Sequence, residues 1–554
     1  MRTLVTAQEM SRIDEEAQAI GIPGMVLMEN AGEHAFRIWL ATAIEAGGAS
    51  LGDTTSLLRA GGFSPTSFPA ATLSDLGPVV AVSGAGNNGG DALVMARAAA
   101  NLGIPVSAVL GRAELKGSAE EQHKILRAMG VAVYYWDGEQ ARNAISKARW
   151  LFDGVAGTGV SGSLRGASKE LVGAMNESEG AVLAVDVPSG VGDQYEPGFS
   201  ATRATLTVTM GLEKRALYLP AARSQAGEIR LAEPGFPRFL LKRPTRSRIV
   251  VSEDLRSLLP PVSTDAHKGK RGFLGLFAGN EGTAGAAALA ALGALHAGCG
   301  LAKVHTAASV SSAVAAADPA LMVAPLDPGE LGAGEAEALR DGDVEELGEA
   351  LTDLLERYTA LCVGPGWGVS KEKQLLLNAL SRSGLPTVID ADGLNNLAAR
   401  ESESAELPER ARGDAGRFTG SVFTPHPGEA ARLLGVAIGE VLREPAAAAS
   451  RIARHYDATV VLKGSVTVIA DPFGEEWFVD GGEPALATAG SGDVLAGVIG
   501  GLLAGGAAPV EAAVGGVLLH RDAGRRLAAE SGWFVASALP EAIGRLSAQA
   551  RRSG

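Results

Sequence analysis

Carboxylates set beside glycine-rich turns are the residues of this chain best suited to chemistry. GAGNNGGD, Gly84 to Asp91, follows the apolar run Pro78 to Ser83 and precedes an apolar stretch from Ala92. A strand, a turn and a helix start are expected there, where glycines let backbone N–H groups approach an anion and the helix dipole favours negative charge. A nucleotide-type ligand is therefore expected at Asn87, Asn88, Gly89, Gly90 and Asp91. Gly84, Gly86 and Gly89 fit the dinucleotide spacing G-x-G-x-x-G, but no clear acidic ribose contact follows about 20 positions on. Two amides and a carboxylate exceed what close approach alone requires. Two more carboxylates end apolar runs in this half, Asp153 in FDGVAGTGVSGS and Asp186 in AVDVPSGVGD. Strand exits form the ligand edge of an open parallel sheet, so the three motifs are expected to face one crevice. A turn or helix cap would use a single Asp after a strand in the same way.

The second half carries a different set. ATAGSGDVLAG, residues 487 to 497, puts Gly490, Ser491 and Gly492 ahead of Asp493 and an apolar helix. Backbone N–H groups at such a helix start can stabilise a phosphoryl group in transfer while a carboxylate takes a hydroxyl proton. An ordinary Asp helix cap would look alike. Lys463, Gly464, Ser465, Val466 and Thr467 follow the apolar run TVVL and could meet a nucleotide phosphate, or form a plain hairpin turn. In TPHPGE, Thr424 to Glu429, two prolines fix a strand exit around His426, which suits a substrate-edge loop, although an isolated His is commonly structural. GPGWG, from Gly364, and DADG, from Asp390, add two further turns at strand ends.

The elements that must position these groups alternate. VVAVSG, VSAVLG, WLFDGV, AVLAVDVPSG and ATLTVTM punctuate helical patterns up to about Val208. A second series, FLGLFAG, LAKVHTA, ALCVGPG, PTVIDADG, SVFTPHPGE and TVVLKGS, begins beyond the Pro- and Arg-rich PRFLLKRPTRSR. This rhythm predicts α/β architecture with parallel sheets in two large domains, 1–245 and 246–554, which also suits a length of 554 residues. Ala43 to Gly77, Asp327 to Glu356 and Glu401 to Arg417 read as surface excursions. Thr6 and Glu9 form a capping box for an N-terminal helix, with Val5 and Met10 as its hydrophobic staple.

Composition excludes several classes. Apolar content of 46% with 20% charged residues describes a soluble globular protein, and a net charge of -14 argues against nucleic-acid binding as the main task. The most apolar stretch, Val494 to Pro509, reads as a buried helix, so no membrane role is expected. Cys299 and Cys362 lack metal spacing and read as buried thiols of a cytoplasmic protein. A homo-oligomer is expected.

LMENAG, GAGNNGGD, FDGVAGTG and VDVPSG, in that order, resemble the YjeF N-terminal family, the NAD(P)H-hydrate epimerases. The resemblance implies a Rossmann-like three-layer domain acting on hydrated NADH and NADPH. Asn87 to Asp91 and the run Gly157, Thr158, Gly159, Val160, Ser161, Gly162 and Ser163 would hold the dinucleotide. Asp186 would be the acid/base residue, and Asn88, Asp153 and Ser189 would supply oxygen ligands to a potassium ion. The long segment from Ala43 to Gly77 departs from the family pattern at the entrance to that site.

The second motif set, with HKGKRGFLGLFAG and GTAGAAALAALGALHAGCGL, resembles the ADP-dependent NAD(P)H-hydrate dehydratases, which are ribokinase-like. The likeness implies ADP on Lys463 to Thr467 and on the turn from Glu483 to Gly492, which includes Gly490 and Ser491. The hydrated dinucleotide would lie near Ala284, Gly366, His426 and Asp493, with Asp493 as base, and AMP and phosphate would be released. Magnesium is expected wherever phosphoryl groups are handled. Glu483-Pro484-Ala485-Leu486 and Ala487-Thr488-Ala489-Gly490 stand where the family has Asn-Pro-Gly-Met and Ala-Thr-Gly-Gly. Together the halves point to a bifunctional repair enzyme that epimerises R and S hydrates and dehydrates the S form. A small-molecule alcohol kinase fused to a non-catalytic dinucleotide-binding module is the alternative.

Overall fold

Alternation along single strands decides the architecture of the N-terminal half. In β2 (Val79–Ser83), Val79 and Ala81 enter one apolar core while Val80 and Val82 enter another. Successive strand residues point to opposite faces, so a strand apolar throughout must be covered on both. Helices Gly24–Ala46 and Asn87–Asn101 cover the first face through Trp39, Leu40, Leu93 and Met95. Helices Glu139–Lys147 and Gly166–Glu177 cover the second through Ile145, Leu171 and Met175. The computed structural model describes residues 1–46, 73–112, 114–262, 265–326, 344–404 and 418–552. They divide into two compact units, Thr3–Thr245 and Arg246–Gly554 with Met1–Arg2.

The sheet of the N-terminal unit runs β4 (Ala132–Tyr135), β3 (Val106–Leu110), β2, β5 (Trp150–Gly154), β6 (Ala181–Val185), β7 (Leu206–Met210) and β9 (Glu228–Ala232). Every neighbouring pair is parallel. Chain order runs outward from β2 in one direction and from β5 in the other, so the switch point lies between those two strands. A parallel pair outside this sheet joins β1 (Arg2–Val5) to the two-residue β8 (Glu213–Lys214), with Val5 opposite Lys214.

In the C-terminal unit β13 (Met322–Pro325), β12 (Leu301–Thr306), β11 (Phe273–Phe277), β14 (Ala360–Val363), β15 (Thr387–Ile389), β16 (Val422–Phe423) and β17 (Thr459–Leu462) are parallel. The antiparallel β18 (Thr467–Ala470) and β19 (Glu476–Val479) follow, and β10 (Ser247–Ile249) lies parallel to β19. Val422 joins the core beneath helices Ala284–Ala297, Ser491–Ala504, Pro509–Ser531 and Leu539–Arg552. Its neighbour Phe423 meets Phe418 and Tyr456, the latter on helix Pro445–Tyr456, on the opposite face. Both units are three-layer α/β/α structures.

Each apolar run named from the sequence is a strand. The box of Thr6 and Glu9 caps helix Ala7–Ala19, and Val5 and Met10 share one core. Both thiols are buried and free, and among the described residues no helix is long and apolar enough to cross a membrane. The expected excursions need correction where they are described. Ala43–Ala46 ends helix Gly24–Ala46, and Glu401–Ser404 ends helix Asp392–Ser404. The acidic run ends in helix Val344–Leu355, whose Leu347, Leu351 and Leu355 recur every four residues and are buried. Residues 47–72, 327–343 and 405–417 of those segments lie outside the described residues.

Candidate active sites

β2 and β5 leave the N-terminal sheet side by side. Gly84 passes so close to the β5 exit that an added Cβ would lie 1.9 Å from the Val155 carbonyl oxygen. Helix Asn87–Asn101 starts just beyond, with Gly86 as N-cap and no side chain bonded to its first N–H groups. Gly89 N donates to the Gly86 carbonyl at 3.0 Å, whereas the Asn87 and Asn88 N–H groups have no hydrogen-bond partner among the described residues and can meet an anion. A cavity of about 670 Å³ opens at this switch point, lined by Asn87, Asn88, Asp91, the run Gly157 to Val160, Asp186 and Lys214 among others. Gly89 and Gly90 serve packing instead: a Cβ would lie 2.4 Å from Ser83 Oγ at the first and 2.5 Å from Met28 at the second. Ser161 and Ser163 are exposed, and the run Ser161 to Ser163 is not part of the lining.

Asp186 takes a left-handed backbone, φ 67°. Its Oδ1 accepts hydrogen bonds from Thr209 Oγ1 at 3.2 Å, from Met210 N at 3.0 Å and from the Lys214 ammonium. Lys214, 1% exposed, also donates to the Met210 carbonyl at 2.6 Å. A buried ammonium requires such a counter-charge. Oδ2 of Asp186 has no hydrogen-bond partner among the described residues, so one oxygen is anchored and the other is open to a ligand. Asp91 shares the cavity, where burial, then Asp186 and Asp14, push its carboxyl well above the ordinary range against the pull of Lys214.

Asp153 and Ser189 are fully buried and do not line this cavity. Asp153 accepts from Ser189 N at 2.9 Å, from Ser189 Oγ at 2.5 Å and from Val155 N at 3.2 Å. Burial raises its carboxyl, and no cationic side chain is among its partners. Asn88, whose amide packs on Gly157, has a buried Nδ2 without a partner. Amide N and O are interchangeable by a flip. The buried Asp153 carboxylate and Ser189 hydroxyl, in contact, and the orphaned Asn88 amide against Gly157 offer oxygen atoms of the kind that suit a hard monovalent cation such as potassium.

In the C-terminal unit the β17–β18 hairpin and the start of helix Ser491–Ala504 enclose a cavity of about 620 Å³. Lys463, Gly464, Ser465, Thr467, Ser491, Gly492 and His426 line it. Glu483, Pro484, Leu486, Ala487 and Thr488, the segment that departs from the family pattern, line it too. Leu486, Leu495, Val479 and Val517 give it an apolar wall suited to a flat base. Val466 is core, and Gly490 packs against Leu289 and Ala536, so neither belongs to the lining. The turn from Lys463 to Thr467 is therefore both a hairpin and a cavity wall.

Lys463 Nζ donates to Asp390 Oδ1 at 2.8 Å, an oxygen that also accepts from Thr424 Oγ1 at 2.8 Å. Burial lowers the Lys463 pKa, but Asp390 and Glu429 outweigh it and hold the ammonium above its ordinary value. A Cβ on Gly492 would lie 3.5 Å from that Nζ, so the charge stands over the first turn of the helix carrying Asp493. Asp493 is partly buried and accepts no hydrogen bond among the described residues; it is not the helix cap, since Gly490 holds that position. Burial first, then Asp390, push its carboxyl up to about 7, with Lys463 opposing. That value suits a proton acceptor near neutrality.

His426 is the N-cap of helix Pro427–Leu434, its Nδ1 accepting from Gly428 N at 3.0 Å and Glu429 N at 3.3 Å. The structural role and the cavity wall coincide in one residue. Ala284 begins helix Ala284–Ala297, and Gly366 packs against the adjoining Thr283, whose Oγ1 donates to the Gly366 carbonyl at 2.7 Å. They meet where β11 and β14 diverge, the switch point of this sheet, and not on the wall of the nucleotide-sized cavity. Among the described residues there is no group of three or more His, Cys, Asp or Glu that could hold a metal ion. Sequence reasoning missed Lys214 and His520. Lys214 lies in a charged stretch that reads as surface, and His520 in an apolar helical run that reads as core.

Comparison with known proteins places both halves. Residues 24–216 match the family model described as YjeF-related protein N-terminus, and residues 274–545 match the one described as NAD(P)H-hydrate dehydratase. The chain is 33% identical over 453 residues, 81% of its length and 85% of the relative's, to the bifunctional NAD(P)H-hydrate repair enzyme Nnr of Coxiella burnetii. It is 33% identical to the protein of the same name from Moorella thermoacetica over 541 residues, 96% of this chain and 93% of that one. A solved ADP/ATP-dependent NAD(P)H-hydrate dehydratase from Bacillus subtilis, co-crystallised with ATP and magnesium, is 29% identical, covering 54% of this chain and 97% of its own at a TM-score of 0.44. Matched along most of its length by relatives of one kind, with two family models on successive stretches, this chain belongs to the family of bifunctional NAD(P)H-hydrate repair enzymes.

Proposed function

We propose that the unit within residues 1–245 interconverts the R and S hydrates of NADH and NADPH, and that the unit within 246–554 removes water from the S hydrate, using ADP and releasing AMP and phosphate. One observation carries this reading. Each unit sets a helix start without a side-chain cap beside a carboxylate that has, among the described residues, an oxygen without a hydrogen-bond partner, Asp186 in one and Asp493 in the other.

In the first unit Asn87, Asn88, Asp91 and Gly157 to Val160 receive the dinucleotide. Breaking and remaking a C–O bond at a hemiaminal carbon needs a proton lent to the departing hydroxyl and recovered from water adding to the other face. The open Oδ2 of Asp186 moves that proton, while Thr209, Met210 and Lys214 keep the carboxylate from rotating. Potassium would be held by Asp153, Ser189 and the Asn88 amide and would supply positive charge to an otherwise uncompensated carboxylate.

In the second unit Lys463, Gly464, Ser465 and Thr467, with Glu483, Thr488, Ser491 and Gly492, receive ADP, with magnesium on its phosphates. Asp493 takes the proton of the substrate hydroxyl as its oxygen attacks the terminal phosphorus. The phosphate ester so formed leaves far more readily than hydroxide. A cytoplasmic location fits the two buried free thiols, and homo-oligomerisation belongs to the same reading. The decisive assay supplies mixed R and S hydrates with ADP and follows reduced-cofactor absorbance. Conversion of the whole mixture is expected; a plateau at the S fraction would remove the epimerase assignment, and no conversion would remove that of the dehydratase.

A further inference from the structure

His520 lies on helix Pro509–Ser531 and lines the nucleotide-sized cavity. Its Nε2 stands 3.0 Å from the Ser491 hydroxyl and 3.0 Å from the Ser491 carbonyl oxygen. A carbonyl oxygen can only accept, so the contact assigns the ring proton to Nε2. The consequence falls on the hydroxyl. Facing an Nε2–H, Ser491 Oγ accepts, and its own hydrogen must point elsewhere. Ser491 is 5% exposed, lines the cavity, and does not cap its helix, where Gly490 is N-cap without a side-chain bond. The direction left for that hydrogen is the cavity, where Gly492 and the Lys463 ammonium converge. Burial, with a further push from Lys463, lowers the imidazole to about 4, so His520 carries no charge at working pH and cannot itself attract a phosphate as a cation.

We propose that His520 is a positioning residue of the ADP-dependent half-reaction: its Nε2–H holds the Ser491 hydroxyl oxygen so that the Ser491 hydrogen is donated to a phosphate oxygen of bound ADP. This rests on the nucleotide reading of the cavity, but not on turnover.

ADP affinity measured by calorimetry on the full chain tests it. Ser491→Ala and His520→Phe are each expected to weaken ADP binding roughly ten- to hundredfold, the span of a hydrogen bond to a charged group. Because both remove the same contact, the double variant is expected to bind no worse than either single one. His520→Gln, whose amide can present an N–H where Nε2 stands, is expected to restore most of the affinity; His520→Asn, a bond shorter, is not. Losses that multiply in the double variant, unchanged affinity in His520→Phe, or equal affinity of the Gln and Asn variants would overturn the proposal. Should His520→Phe fail to fold, the comparison of Gln with Asn still decides. A parent protein that binds ADP without dehydrating the hydrate overturns the proposed activity and leaves this test intact, whereas one that binds no ADP overturns both.

Discussion

At the scale of single residues, two carboxylates do different work because their surroundings differ. Asp186 is tied at one oxygen to a buried ammonium, a backbone N–H and a hydroxyl. Asp186→Asn is expected to lower epimerisation by about 10²- to 10⁴-fold, the usual worth of a positioned acid/base group, with dehydration of pure S hydrate unchanged. Lys214→Met leaves that carboxylate unanchored and is expected to reduce epimerisation as well, read as a fall in kcat at saturating hydrate. Asp493 has no such tether and is pushed up to about 7 by burial. Its dehydratase kcat/KM should therefore rise with pH to a plateau above about pH 7, and Asp493→Asn should lose that activity while retaining ADP affinity in calorimetry.

The same shift fixes a stability prediction with a definite sign. A carboxyl whose folded pKa exceeds its unfolded value stabilises the fold fully only below the unfolded value and loses that contribution as pH rises through the folded one. Asp493→Asn never ionises. Its Tm advantage over the parent should grow between about pH 4 and 7 and stay level above, measured by calorimetric melts. A Tm difference flat across that window would mean that Asp493 is solvated in the fold. Neither acid's environment was legible in the sequence. Asp186 and Asp493 were marked by motif, whereas Lys214 was not, because only pairing of β8 with β1 and the turn after β7 bury it.

At the scale of elements, glycines set the distances. Helices Ala284–Ala297 and Ser491–Ala504 approach so closely that a Cβ on Gly497 would lie 1.8 Å from the Ala290 carbonyl oxygen, and one on Gly293 2.6 Å from that of Val494. The obstacle is backbone, which cannot rotate away. Gly497→Ala is expected to cost about 1–3 kcal/mol, the range for overpacking, and to shift the first turn of the second helix, where Ser491 and Asp493 sit. Equilibrium denaturation and ADP affinity should fall together; a variant as stable as the parent would show that the helices can separate freely. Period-2 and glycine patterns made the core strands readable. The edge strands β4, β9 and β13 were not; in β9, Glu228 and Arg230 interrupt the apolar run that marks a buried strand.

For the whole molecule, the value of joining the two activities is that a dehydratase restricted to one epimer strands the other. With mixed hydrates and ADP, the parent should consume both, Asp186→Asn should stop near the S fraction apart from slow spontaneous interconversion, and Asp493→Asn should leave both. Adding Asp493→Asn to Asp186→Asn in one tube should restore full conversion, since the intermediate is a free small molecule. The sequence by itself determined the α/β class of each half, its core strands and the turns that end them, because apolar periodicity and glycine placement are local properties. The structure brings GNNGGD to VAGTG at one strand-order reversal and the hairpin after Lys463 to the helix start at Ser491, as expected, but tertiary structure alone decided the hidden partners Lys214 and His520 and the burial of Asp153 and Ser189 away from the cavity. Burial and proximity across tens of residues create those pairs, and no local pattern in the chain encodes the distance between parts that far apart.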